Sequence, residues 1–259
     1  MLKRIASTES SDEAQKSTGS QTLVRGLDVL EAVAAGAATL SEIASRLDLT
    51  KSTAHRLASA LVERGYLTAT PRAGYGLGPK LLQLGHAALE QLDLVQAARP
   101  HLEALAEATE DTVHLGVIDG NQALYVDKVA GQRRINISSR VGERQPLSST
   151  GLGKALMLDA GSRYWAERLQ AEQPQADAAA FLARMTRYAE AGRAFDLEEN
   201  EDRIRCVAAP VRDASGRVVA AISVSSAAQY MDDARMEALS ATVRGAADAI
   251  GRELGWSPA

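Results

Sequence analysis

The sequence predicts an α+β protein in two parts, a small helical head that ends in a hairpin and a larger body whose helices pack on a largely antiparallel sheet. Three observations predict it. Apolar residues recur with the helical period up to Gly65, a hairpin pattern punctuated by glycine follows, and beyond residue 111 the apolar period falls to two. At 259 residues the chain is long enough for two domains that each bury a core.

The opening stretch, MLKRIASTESSDEAQKSTGSQ, is polar, rich in Ser and Thr and free of periodicity, so residues 1–20 are expected to form a disordered tail. It lacks the apolar core of a signal peptide, and no apolar run reaches the length of a membrane span. The expectation is a soluble, cytoplasmic protein with no membrane partner. A single cysteine, Cys206, excludes an internal disulfide. The net charge of −4 is uneven: residues 1–80 carry +2 and the remainder −6. A mildly basic head before an acidic body is compatible with nucleic acid at one end.

The head is read as three helices. Thr22 can cap the first, on which Leu23, Leu27, Leu30 and Ala34 form one stripe, and Gly36 closes it. TLSE at 39–42 has capping-box form, with Thr39 and Glu42 three apart, and Leu40, Ile43, Ala44 and Leu47 give the second stripe. After a tight turn, Thr50 can cap a third helix that buries Ala54, Leu57, Ala58 and Leu61 and stops at Gly65. Two short helices joined by a tight turn make a helix-turn-helix. On the third helix Lys51 and His55, and Ser52 and Arg56, are i, i+4 neighbours, so with Thr53 they project from its N-terminal half. Lys and Arg there can reach guanine edges or phosphates, and hydroxyls can bond to either. An isolated polar helix face is ordinarily just solvated. Here the capped helix before it and the hairpin after it, YLTATPRAGYGLG, complete a winged helix-turn-helix and put Arg72 at the tip of the wing.

Residues 80–110 are strongly helical, with Leu81, Gly85, Ala88 and Leu92 and then Val95, Ala98, Leu102 and Leu105 on recurring faces, and Pro100 marks a new start or a kink. This segment is either a core helix or a linker that also pairs subunits. Palindromic operators need dimers, which favours the linker. In the body, TVHLGVID and QALYVDKV alternate around DGN, RRINISS reads as a third strand, and RIRCVAAPVRDASGRVVAAISVSS reads as strand, turn, strand. Helices are expected between 153 and 190 and from Asp232 to Leu254.

From about residue 21 onward the chain resembles the IclR family of transcriptional regulators. The resemblance rests on RGLDVLEAV, LSEIASRLDLTKSTAHRLASALVERGYL, YGLGPKLLQLG, ARPHLEALAEAT, SRVGERQPLSSTGLGKALM, DLEEN, RCVAAPVRD and VVAAISVSS, in that order over both parts. It implies a winged helix-turn-helix over 21–80, a linker helix over 81–98 and a GAF-like effector-binding domain over 99–259. It also implies homodimers or homotetramers on a palindromic double-stranded operator, and control of catabolic genes by a small organic acid. The family's pocket, carried over motif by motif, falls on Ser149, Thr150, Gly151, Leu152, Asp196, Cys206, Ser223 and Ser225. The residues agree with this in part. Exposed N–H groups at a helix start can hold a carboxylate, and Ser223 and Ser225, two apart on a strand, face one side. Each also has a plainer reading: the serines could face solvent, Cys206 could be a small buried residue, and Thr150 could only cap a helix.

Catalysis finds no support. STGLGKAL fails the phosphate-loop pattern twice, at Ser148 and Ala155, and His55, His86, His101 and His114 are scattered without ligand spacing, so no metal, cofactor or catalytic residue is expected. The sequence also departs from the family. Arg203 stands where glycine is usual, Arg193 stands where an aromatic residue is common, and QPQADAAA replaces a threonine-rich stretch. Arg203 could reach an acidic ligand or lie at the surface. HLGVID, SRVGERQPLSST and EENEDRIRC are most similar to the branch that responds to 2-keto-3-deoxygluconate, with regulators of aromatic-acid catabolism as the alternative. Aromatic residues at 4% favour the sugar acid. The expected mechanism is repression relieved by ligand, the effector biasing the placement of the DNA-binding heads. Activators also occur in the family, and a different class of reading is a sensor that acts through a protein partner without touching DNA.

Overall fold

The computed structural model describes residues 18–71, 73–91, 93–135 and 137–257. Most of the expected tail, and Arg72, lie outside the described residues. The chain separates between Gln91 and Leu92 into two compact units, each with its own hydrophobic core.

In the first unit α1 (Thr18–Ala34), α2 (Leu40–Arg46) and α3 (Lys51–Glu63) precede a hairpin of β1 (Leu67–Thr70) and β2 (Gly74–Leu77), and α4 (Pro79–Gln91) follows. The capping box forms as expected. Thr39 Oγ1 accepts from the Glu42 N–H at 3.2 Å and the Glu42 carboxylate accepts from the Thr39 N–H at 2.8 Å, bonds that hold the Glu42 carboxyl below its usual range. Thr50 caps α3 through the Thr53 N–H at 3.2 Å. Ala54, Leu57 and Ala58 of α3 are buried with Ile43 and Ala44 of α2, while Leu61 is only half-buried. The first helix departs from its expectation. It begins at Thr18, so Thr22 lies inside it, and the expected stripe is largely exposed, Leu23 at 66% and Leu27 at 49%. The residues α1 buries are Val29, Ala32 and Val33, because the small core of the head reaches only its last turns. The wing strand β2 is tied to the loop before α2. The Tyr75 N–H donates to the Ala38 carbonyl at 2.7 Å, and at Gly74, with φ +83°, a side chain would overlap that carbonyl.

The second unit begins with α5 (Leu94–Thr109), capped by Asp93 through the Val95 N–H at 2.9 Å. The helical segment expected over 80–110 is therefore interrupted at Asp93 and not at Pro100, which lies inside α5. A side-chain acceptor provides a start, whereas the proline removes one backbone donor without ending the helix. Six strands form one antiparallel sheet in the order β5-β4-β3-β8-β7-β6. They are β3 (Thr112–Asp119), β4 (Gln122–Val129), β5 (Arg144–Pro146), β6 (Ala194–Leu197), β7 (Ile204–Arg212) and β8 (Val218–Ala227). The β3–β4 hairpin turns through Gly120, at φ +61°, with Asp119 opposite Gln122, as DGN requires.

RRINISS is not a strand among its described residues. The Lys128 amine donates to the carbonyls of Ile137 and Ser139, both at 2.7 Å, so a side chain takes the acceptors a ladder would use, and β5 pairs with β4 instead. The helices α6 (Gly151–Leu156), α7 (Gly161–Glu172), α8 (Ala178–Ala191) and α9 (Asp233–Glu253) complete the unit. The sheet is covered on both faces, by α5 and α9 on one and α6 on the other. Residues 112–116 of β3 are accordingly buried without alternation.

Candidate functional sites

Two surfaces gather the residues singled out by sequence. The first is the outward face of α3. Lys51, Ser52, His55 and Arg56 are all exposed there, within the first two turns of the helix. Thr53 is half-buried and its hydroxyl lies 2.9 Å from that of Thr50, so it belongs to the cap as much as to the face. The arrangement gives two cations and a hydroxyl beside the free N–H groups of a helix N-terminus, which suits phosphate and base-edge contacts.

The second is a cavity of about 60 Å³ over the sheet. Its wall is one row of cross-strand neighbours. His114 on β3 stands opposite Ser223 on β8, Ser225 on β8 opposite Cys206 on β7, and Cys206 opposite Asp196 on β6. Directly paired residues share a face, so the alternation of five strands brings these side chains, with Tyr125 of β4, onto one side. Leu152 of α6 seats on Gly116, where a side chain would collide with it. Gly151 packs so closely on Cys206 that a methyl group there would overlap the sulfur.

The far wall is Ile137, Ser138, Ser139 and Glu143, from a strap between β4 and β5 that is tied at several points. Its start is held by Arg133, which donates to the buried Asp111 carboxylate at 2.8 Å, its middle by Lys128, and its end by the Gly142 N–H on the Tyr125 carbonyl at 2.8 Å. Ser139 of the strap lies 2.6 Å from His114 Nε2, and Ser225 Oγ lies 3.5 Å from His114 Nδ1. Burial, with the Lys128 charge nearby, pushes the His114 imidazole down to about 3, so it is neutral and stacks on Tyr125 at 4.7 Å. Burial pushes the Cys206 thiol up to about 12 and the Asp196 carboxyl up to about 6, the latter against the pull of Lys154. Lys154 is itself fully buried and donates to the Phe195 carbonyl at 3.0 Å and to Glu199.

Of the eight pocket positions expected from sequence, Thr150, Leu152, Asp196, Cys206, Ser223 and Ser225 line the cavity. Thr150 also caps α6, accepting from the Gly153 N–H at 3.0 Å and donating to the Pro146 carbonyl at 2.7 Å. Ser149 stands behind the wall and bonds Asn200 at 2.9 Å, and Gly151 supplies the close approach to Cys206. Sequence reasoning missed His114 and Tyr125, whose signal lies in strand pairing, and Ser139 and Glu143, which lie in the quoted motif SRVGERQPLSSTGLGKALM but on the loop before β5. Arg203 is exposed, and Arg193 lies over the Phe195 ring at 4.0 Å and pairs with Glu237 at 2.8 Å, so neither lines the cavity. Among the described residues no group of His, Cys, Asp and Glu is placed to hold a metal ion, and no helix is long and apolar enough to cross a membrane.

A family model described as the IclR helix-turn-helix domain matches residues 22–71, and one described as the bacterial transcriptional regulator IclR C-terminal matches residues 86–252. The chain is 33% identical over 246 residues to the HTH-type transcriptional regulator XynR of Escherichia coli, covering 91% of this chain and 98% of that one. It is 34% identical to BhcR of Paracoccus denitrificans, over 89% and 86% of the two chains, and 29% identical to KdgR of Escherichia coli, over 84% and 86%. The crystal structure of Pseudomonas aeruginosa HmgR superposes with a TM-score of 0.81 at 26% identity, over 92% of this chain and all of that one. An IclR homolog from Microbacterium hydrocarbonoxydans, complexed with 4-hydroxybenzoate, superposes with a TM-score of 0.55 at 27% identity, over 90% and 99%.

Proposed function

The chain belongs to the IclR family of bacterial transcriptional regulators, and we propose that within it this protein is a repressor of a catabolic operon, released by a small organic acid of the sugar-acid class typified by 2-keto-3-deoxygluconate. It is a DNA-binding regulator and not an enzyme, which sets aside a sensor that never touches DNA. The observation that carries the effector reading is the make-up of the cavity. Ser139, Ser223, Ser225 and Thr150 offer hydroxyls and Asp196 and Glu143 offer acceptors, a lining suited to a ligand with several oxygen atoms.

In this reading Lys51, Ser52, Thr53, His55 and Arg56, with Arg72 at the wing, engage the operator. Residues 81–98 link the head to the effector domain over 99–259. The protein acts in the cytoplasm as a homodimer or homotetramer on a palindromic operator, and no cofactor takes part. Leu23 and Leu27 of α1 and Leu82 and Leu84 of α4, all exposed, supply apolar surface of the kind a second copy covers. The effector acts by binding more tightly to the state with low operator affinity.

A second reading, an aromatic acid, draws on Leu152, Ile137 and Ile204 in the lining and on the relative solved with 4-hydroxybenzoate. A thermal-shift panel of sugar acids, keto acids and aromatic acids, followed by operator gel shifts with any stabilising compound, separates the two. A selective rise in Tm with 2-keto-3-deoxygluconate, and operator release by it, is the expected result. A rise with 4-hydroxybenzoate alone moves the protein to the aromatic reading, and no rise with any acid removes both.

A further inference from the structure

The charge of the cavity does not match the charge of the ligand class proposed for it. Among the described lining residues are three carboxylates, Asp196, Glu143 and Glu201, and neither a lysine nor an arginine. Lys154 and Lys128, which do not line the cavity, are engaged by other groups. Lys154, from α6, is held by Glu199 and the Phe195 carbonyl, and Glu199 is held in turn by Arg184 of α8 at 2.6 Å. Lys128 is held by the two strap carbonyls. An anion entering this cavity meets the Asp196 carboxylate where it is largely shielded from solvent, which is unfavourable unless charge is removed.

Asp196 is where that can happen. It is 4% exposed, whereas Glu201 is open to solvent and Glu143 already accepts from the Arg140 N–H at 2.9 Å and the Gln145 amide at 2.6 Å. Asp196 Oδ1 accepts from the Glu199 N–H at 2.8 Å, at the edge of the cavity. The cation that acts on it, Lys154, is already engaged by Glu199. Lys154 favours its charged form, Glu199 from the β6–β7 turn opposes that, and the Cys206 thiol on β7 is neutral. Across the cavity His114 and Tyr125 are neutral as well, burial raising the phenol and lowering the imidazole.

We propose that an organic-acid effector enters this cavity together with one proton, which Asp196 takes up, so that its neutral carboxyl donates a hydrogen bond to the effector carboxylate. This rests on the organic-acid reading above. The proton comes from solvent, no covalent bond forms, the effector remains an anion, and the net charge of the occupied site equals that of the empty one. A carboxyl already raised to about 6 by burial takes that proton readily near neutral pH. Asp196 is then a specificity residue. It admits a carboxylate only with its proton, and charged it favours ligands that bring hydrogen-bond donors.

Isothermal titration calorimetry on the full chain tests this with 2-keto-3-deoxygluconate, glycerate and 4-hydroxybenzoate as probes at pH 6, 7 and 8, each in two buffers of different ionisation enthalpy. The expected result for the natural sequence is uptake of about one proton per site at pH 8 and a Kd that weakens on the order of tenfold per pH unit above pH 7. Asp196→Asn, whose amide donates without titrating, is expected to show no proton uptake, a Kd that changes less than about threefold from pH 6 to 8, and tighter binding than the natural sequence at pH 8. An acid that binds with no proton uptake overturns the inference and leaves the organic-acid reading standing. Failure of all three acids at pH 6 overturns both. If the variant does not fold, the proton count of the natural sequence decides alone.

Discussion

Arg203 adopts φ +63°, a backbone region that costs a non-glycine residue roughly 1–2 kcal/mol. Its carbonyl is fixed by the Ala228 N–H at 2.7 Å, so the conformation belongs to the fold and not to the side chain. Arg203→Gly is therefore expected to stabilise the effector domain by about 1 kcal/mol, read as a higher urea midpoint at unchanged slope. An unchanged midpoint would show that the strain is relieved elsewhere. Asp196 and His114 set opposing pH dependences. The Asp196 carboxyl is raised to about 6 in the folded state, so its contribution is fully present below about pH 4 and is lost as pH rises through 6. The His114 imidazole is lowered to about 3, so its contribution is present above about pH 6.5 and is lost as pH falls. In Asp196→Asn the first of these disappears. The stability of the variant relative to the natural sequence is expected to rise by about 1.4 kcal/mol per pH unit between pH 4 and 6 and then level off. A constant difference in Tm over that range would mean that Asp196 is solvated. Ser223 and Ser225 were legible in the sequence because alternation along one strand needs no other strand. His114 was not, because alternation says which residues share a face and not which strand lies alongside.

At the scale of the element, the capped helices and the β3–β4 hairpin were legible, each from a local chemical signal: Thr39 with Glu42, Thr50, and Gly120. The strap was misread because RRINISS has the composition of a strand while its acceptors are taken by Lys128, a contact no local pattern records. Lys128→Met leaves the strap without that tie. Amide exchange at Ser138 and Ser139 is expected to quicken at least about tenfold and effector affinity to fall, measured by mass-resolved exchange and the thermal-shift panel. Protection equal to that of the natural sequence would place the restraint at Arg133 instead. For α3, Arg56 is exposed on the face that carries Lys51, Ser52 and His55. Arg56→Ala is expected to weaken operator binding by about 1–3 kcal/mol while leaving the effector-induced rise in Tm intact. Undiminished operator affinity in gel shifts would remove Arg56 from the interface.

For the molecule as a whole, the two-part organisation was legible because the apolar period itself changes between the head and the body. The burial of α1 was not. Its leucines fit a helical stripe, yet the head covers only Val29, Ala32 and Val33. If a second copy covers the rest, Leu23→Glu combined with Leu27→Glu is expected to shift the sedimenting species to the monomer. Affinity for a palindromic operator should then fall by at least about tenfold, with the effector domain still folded. An unchanged oligomer would move the subunit contact to other surfaces.

The cavity wall is drawn from alternate positions of five strands, and this has a practical consequence. His114 is flanked by Val113 and Leu115, and Ser223 by Ile222 and Val224, all fully buried on the opposite face under α5 and α9. The layer that carries the stability of the domain and the layer that meets a ligand are thus encoded by interleaved but separate sets of residues. A combinatorial library confined to positions 223 and 225 would vary ligand recognition while leaving the buried layer of β8 in place, which makes this domain a natural starting point for biosensors of new metabolites.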